Sequence, residues 1–169
     1  MPRRYGMNEI ELSPEAAVAM RAHSRTEYPR ECCGFLVAEE ASQPRFFRSI
    51  ERAANGRDGG MDPRFEIRPE DLRRLERRLE GTGMMVGGFY HSHPDQPAYP
   101  SAIDAASAWP WYTHVILRVT PRTVGPIGAF QCDPELGQFE PAHLTLRKDP
   151  RESALGRDSK NLLDESEET

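Results

Sequence analysis

Two histidines separated by one serine, at the end of an apolar run, limit how this chain can fold. The run Met84–Tyr90 (MMVGGFY) has strand composition, and His91 and His93 follow it two residues apart. In an extended chain that spacing points both imidazoles the same way, whereas on a helix they would diverge by about 200°. A polar, proline-punctuated loop then leads to Pro100-Ser101, a helix entrance, and Ser101 and Asp104 share a face of that helix. The fold must therefore bring a strand end against a helix start. Two imidazoles and a carboxylate gathered in this way form the kind of set that holds a catalytic zinc with one position left for water.

The remainder of the chain reads as one mixed α/β domain. Its 169 residues suffice for a single core plus a tail. With a formal charge of −5 there is no electrostatic reason to expect nucleic acid as a partner. No apolar run reaches the roughly 18–20 residues of a membrane span, and MPRRYGMNEIELSPE has no apolar h-region, so a cytoplasmic protein is expected. Cys32, Cys33 and Cys132 make no disulfide framework and read as small buried hydrophobes.

In chain order, Met7–Leu12 reads as a short edge strand. Ser13-Pro14-Glu15 combines an N-cap, a proline at the first helical position and an acid in the first turn, and Pro29 ends the helix. His23 on that helix reads as a surface or half-buried residue. Cys32–Ala38 is a buried strand with Glu31 at its head, and RFFRSIERA is a second strand. Residues 55–64 (NGRDGGMDPR) are dense in turn signals and read as a loop, either a plain connector or a flap that faces the substrate. FEIRP reads as a short strand before a helix opening at Pro69, whose arginines Arg73, Arg74, Arg77 and Arg78 form a solvated face with Glu76 and Glu80. AIDAASAWP is a short helix, and WYTHVILRVT, VGPIGAFQC and FEPAHLTLR are strands. The expected architecture is a mostly antiparallel central sheet flanked by helices over residues 7–147. Residues 148–169 form a polar, flexible tail.

Hydrolysis at a zinc held by His91, His93 and Asp104 needs a general base and a donor for the oxyanion. Glu31 is the candidate base. Ser101, one helical turn from Asp104, is the candidate oxyanion donor, although Ser-x-x-Asp also fits a helix capping pattern. The complete spacing is His91-x-His93, seven residues, Ser101, two residues, Asp104, with an acid upstream in PRECCGFL. In this the chain resembles the JAMM (MPN-plus) zinc metalloproteases, whose pattern is a distal Glu followed by H-x-H-x7-S-x2-D. The resemblance spans roughly Glu9–Leu146 and is nearest to the small, stand-alone prokaryotic members, through YHSHPDQPAYPS and FEIRPEDL.

That resemblance implies a single-domain fold of the cytidine-deaminase-like kind and one zinc (Zn2+) per chain. It implies that His91, His93 and Asp104 are ligands, Glu31 the acid/base and Ser101 the oxyanion stabiliser. It also implies cleavage of a peptide or isopeptide bond after the C-terminal Gly-Gly of a ubiquitin-like protein. The expected substrate is a bacterial sulfur carrier protein, with an adenylating activating enzyme in the same pathway. Two other readings stay open: a deconjugating protease of a bacterial ubiquitin-like conjugation system, and a metal-free scaffold that only binds partners. A zinc nucleoside deaminase needs H-x-E and P-C-x-x-C, but here His93 stands where the Glu would be and P-C-x-x-C is absent.

Overall fold

Every described strand of this protein has a neighbour on both sides, because the sheet closes on itself. The computed structural model describes residues 9–55, 65–133, 135 and 137–147. In chain order these form β1 (Glu9–Leu12), α1 (Pro14–Glu27), β2 (Cys33–Glu39), β3 (Arg45–Ala53), α2 (Pro69–Leu79), β4 (Met84–Pro94), α3 (Ala102–Ser107), β5 (Thr113–Val119), β6 (Val124–Cys132) and β7 (Phe139–Leu146). The strand order is β1-β3-β2-β4-β5-β6-β7, with β7 returning to β1. Pairs β1/β3, β1/β7 and β4/β5 are parallel. Pairs β2/β3, β2/β4, β5/β6 and β6/β7 are antiparallel. The mixed, mostly antiparallel expectation holds, and four-residue β1 closes the ring.

Alternation along the strands sorts side chains to two faces. Leu36, Ala38, Tyr90, Val115 and Leu117 pack with Ala16, Ala17 and Met20 of α1. Phe35, Val37, Val86 and Phe89 pack with Leu72 and Leu75 of α2. The even-numbered Val86 shares a face with the odd-numbered Phe89 because a bulge intervenes. Leu36 pairs with Gly88 and Val37 with Val86, which leaves Gly87 as the extra residue. Helix α1 starts as its sequence requires: Ser13 Oγ accepts the Ala16 amide at 3.0 Å, and Pro14 follows. Among the described residues no helix is long and apolar enough to cross a membrane.

Three expectations are corrected. His23 is buried, its Nδ1 2.8 Å from the Tyr90 hydroxyl. Burial, and Arg52 nearby, push the His23 pKa down, while burial pushes the Tyr90 hydroxyl up, so neutral His23 accepts and Tyr90 donates. Residues 65–68 are irregular, not a strand: the Phe65 amide donates to Glu31 Oε2 at 3.0 Å and the Glu66 amide to Asn55 Oδ1 at 3.0 Å, instead of to a ladder. Strand β1 is not an edge strand, since it pairs with β3 on one side and β7 on the other, while β4 runs through both histidines to Pro94 with β5 alongside as far as Pro94↔Val119. Residues 56–64 of the proposed loop and the 148–169 tail lie outside the described residues.

Gly34 shows how tightly the α1 face is packed. It pairs with Tyr90, and a Cβ there would lie 2.4 Å from the Glu51 carbonyl oxygen and 2.5 Å from the Tyr90 ring. The absence of a side chain is what lets Tyr90 lie across β2 and reach His23. Gly34→Ala is expected to destabilise the protein by about 1–3 kcal/mol, measured by denaturant unfolding, and unchanged stability would contradict this packing.

Candidate metal centre

The site forms where β4 ends between an antiparallel neighbour, β2, and a parallel one, β5. His91 and His93 share the face that carries Phe89, whereas Tyr90 turns to the α1 core. Cys33 pairs with His91. One residue further, the Ser92 amide donates to the Cys32 carbonyl at 3.0 Å and the Cys32 amide donates to Ser92 Oγ at 2.9 Å. Glu31 precedes this contact by one residue, lines the same cavity as the histidines, and its charge acts on His93. The α3 crossover from β4 to β5 supplies Asp104.

The three donor groups converge. His91 Nε2 lies 3.0 Å from His93 Nε2. Asp104 Oδ1 is 3.3 Å from His91 Nε2, and Oδ2 is 3.3 Å from His93 Nε2. One ligand atom from each residue fits within 4.8 Å of the others. Two imidazole nitrogens this close cannot both present lone pairs without a proton or a cation between them. His93 Nδ1 is 2.8 Å from the Pro97 carbonyl oxygen and donates to it, which turns Nε2 toward the other donors. Two imidazoles and one carboxylate with nearby free volume are a donor set suited to a divalent metal.

Helix α3 aims the carboxylate. Ser101 Oγ accepts the Asp104 amide at 3.1 Å, and Asp104 Oδ2 accepts the Ser101 amide at 2.6 Å, a reciprocal capping box. The capping pattern is therefore real, and the same bonds fix Asp104 toward the histidines. Burial would push the Asp104 carboxyl up, but hydrogen bonds from the His91, His93 and Ser101 side chains and the His91 charge outweigh it and hold the group well below the usual carboxylate range. Burial lowers the His91 pKa despite Asp104. At His93 burial also acts downward, but Asp104, the Pro97 carbonyl and Glu31 prevail and raise its pKa.

A cavity of about 650 Å³ opens beside these groups, lined by Glu31, His91, His93, Ser101 and Asp104 together with Phe65, Phe89, Ile103, Trp109 and His114. All five predicted site residues thus border one space. Phe65 stacks on His91 with ring centroids 4.4 Å apart while its amide holds Glu31. Phe65, the Pro97 carbonyl and Ser92 were not legible as site residues. Ser92 sat inside the histidine motif as an unassigned position, and the buried-strand reading of β2 gave the only hint that something had to pair with Cys32.

The model of prokaryotic homologs of the JAB domain (Prok-JAB) matches residues 13–132, and the chain belongs to that family. Among curated relatives, a desampylase from Haloferax volcanii is 29% identical over 116 residues, covering 64% of this chain and 80% of the relative. The tail tip assembly protein K of Escherichia phage N15 is 33% identical over 114 residues; the match covers 65% of this chain but only 42% of that longer protein. The solution structure of a Salinibacter ruber protein is 32% identical, with a TM-score of 0.63 and coverage of 83% of this chain and 92% of that one. A Desulfitobacterium hafniense protein, at 24% identity, shares the fold with a TM-score of 0.70, over 83% of this chain and 94% of that one.

Ser92→Ala keeps the Ser92 amide bond to Cys32 but removes the acceptor of the buried Cys32 amide. The expected result is faster hydrogen exchange at Cys32 and a stability loss of about 1–3 kcal/mol, with metal binding retained. An unchanged exchange rate at Cys32 would contradict the clamp.

Proposed function

We propose that this chain is a zinc-dependent peptidase and isopeptidase that hydrolyses the bond after the C-terminal Gly-Gly of a ubiquitin-like protein, a bacterial sulfur carrier being the expected substrate. The observation that carries the reading is the convergence of His91, His93 and Asp104 on one point, with Glu31 and Ser101 bordering the same cavity. Family membership supports it, as does the desampylase relative, named for removing a ubiquitin-like modifier. That relative also favours a second substrate for the same site, a modifier joined to a lysine side chain. An adenylating enzyme that activates the carrier would then be a pathway partner.

His91, His93 and Asp104 would hold the zinc, which when bound supplies Lewis acidity toward the scissile carbonyl and an acidified water. Glu31 takes the proton of the attacking water and returns it to the leaving amine. Its carboxylate is aimed by the Phe65 amide and by the Cys32–Ser92 pairing just beyond it. Ser101 Oγ accepts the Asp104 amide, so its own proton can be turned to the oxyanion of the tetrahedral intermediate. Cap and oxyanion donor are compatible roles, since one uses a lone pair and the other the hydroxyl hydrogen. His93, tethered through Nδ1 to Pro97, keeps its orientation as the substrate enters. Strand β1 pairs with β3 only over residues 45–47, so among the described residues 49–53 of β3 have a strand partner on the β2 side alone.

Purified protein supplied with zinc is expected to bind one ion per chain by elemental analysis and to lose it in the His91→Ala, His93→Ala double variant. Glu31→Gln is expected to retain zinc while hydrolysis of Gly-Gly-extended carrier proteins, followed by product mass, falls by about 10² or more. Failure to bind zinc would remove the peptidase reading. Full turnover in Glu31→Gln would reassign the base.

A further inference from the structure

The cavity beside the three donors is larger and more apolar than a glycine tail can fill. Its volume of about 650 Å³ falls within the range of small-molecule pockets, roughly 300–1,000 Å³. Phe89 and His114 are directly opposed in the parallel β4/β5 register, on the face that carries His91, and they form the floor. Ile103 and Trp109 form one wall, and Phe65 and Ile67 line it as well. Burial pushes the His114 pKa down to about 4, so this side chain is uncharged at neutral pH. Among the described residues, the charged lining beyond Glu31, Asp104 and the histidines is Glu66.

The walls are preformed. His114 Nε2 lies 3.3 Å from the Trp109 carbonyl oxygen and donates to it, which anchors the chain after α3. The Trp109 ring packs at 5.8 Å from Phe89. Ile103, next to the ligand candidate Asp104, is 51% exposed, and Trp109 is 36% exposed. Two large apolar residues left open at the lip of an apolar cavity are a surface shaped to be covered by a ligand.

We propose that this cavity binds a bulky apolar side chain on the leaving side of the scissile bond. The proposal rests on the reading that the acyl side ends in Gly-Gly. Two glycines carry no side chain, so the nearest side chain that can enter belongs to the residue directly across the bond. The site thereby selects leaving residues such as leucine or phenylalanine over alanine.

The test uses zinc-loaded full-length protein and carrier proteins ending in Gly-Gly plus one residue: Ala, Leu or Phe. The expected kcat/KM for Leu and Phe exceeds that for Ala by at least about tenfold, equivalent to ~1.4 kcal/mol. Ile103→Ser brings the Phe:Ala ratio toward one. A flat series, or a ratio untouched by Ile103→Ser, overturns the proposal while leaving the hydrolase reading standing. If no extension is cleaved, the Gly-Gly reading has failed instead, and calorimetry then judges the pocket. L-phenylalaninamide binding more tightly than L-alaninamide, with the difference reduced in Ile103→Ser, sustains the apolar pocket. Equal affinity, or no binding of either, overturns it.

Discussion

The pairing of β2 with the last turn-free residues of β4 is the constraint on which the site depends. Cys32 and Ser92 exchange a backbone bond and a side-chain bond, one residue from Glu31 on one segment and from His91 and His93 on the other. The period of two does the sorting. It sends Tyr90 to the α1 core, where it meets His23, and sends His91 and His93 to the cavity face beside Phe89. Because β4 is held on both edges, by β2 and by β5, the histidines rest on the middle of a closed sheet and not on a loop. Rigid placement of this kind suits a pair of imidazole nitrogens 3.0 Å apart that could share a metal ion.

The opposing half of the site has a different logic. Asp104 is held by a helix of six residues that buries none of its side chains, so tertiary packing contributes little to its position. The capping box compensates: the Ser101 amide and the two histidines hold the Asp104 carboxylate, and Ser101 Oγ secures the first turn. Ionisation of Asp104 is favoured by the same contacts that orient it. One set of hydrogen bonds therefore both caps α3 and prepares an anionic donor facing two imidazoles.

Local features of the chain were legible because their physics is local. Spacing alone grouped His91, His93, Ser101 and Asp104, and the Ser13-Pro14 start of α1 and the strand Arg45–Ala53 fell where periodicity and turn residues put them. What stayed hidden depends on distant partners. Closure of the sheet rests on β1 pairing in parallel with both β3 and β7, and no periodicity of a four-residue segment encodes that. His23 is buried because Tyr90, 67 positions away, offers it a hydroxyl. Phe65–Arg68 has strand composition, yet Glu31 and Asn55 capture its amides first. Glu31 was a candidate base at the head of a buried strand, but its nearness to the histidines depends on the long-range Cys32–Ser92 contact.

The central claim is that His91, His93 and Asp104 together hold one zinc with room for a water. X-ray absorption at the zinc edge of the zinc-loaded protein addresses it without reference to substrate. The expected first shell is two imidazole nitrogens and two oxygens at about 2.0–2.2 Å. A shell containing sulfur at about 2.3 Å, which would implicate Cys33 across the rung from His91, or one with a single imidazole, would contradict it.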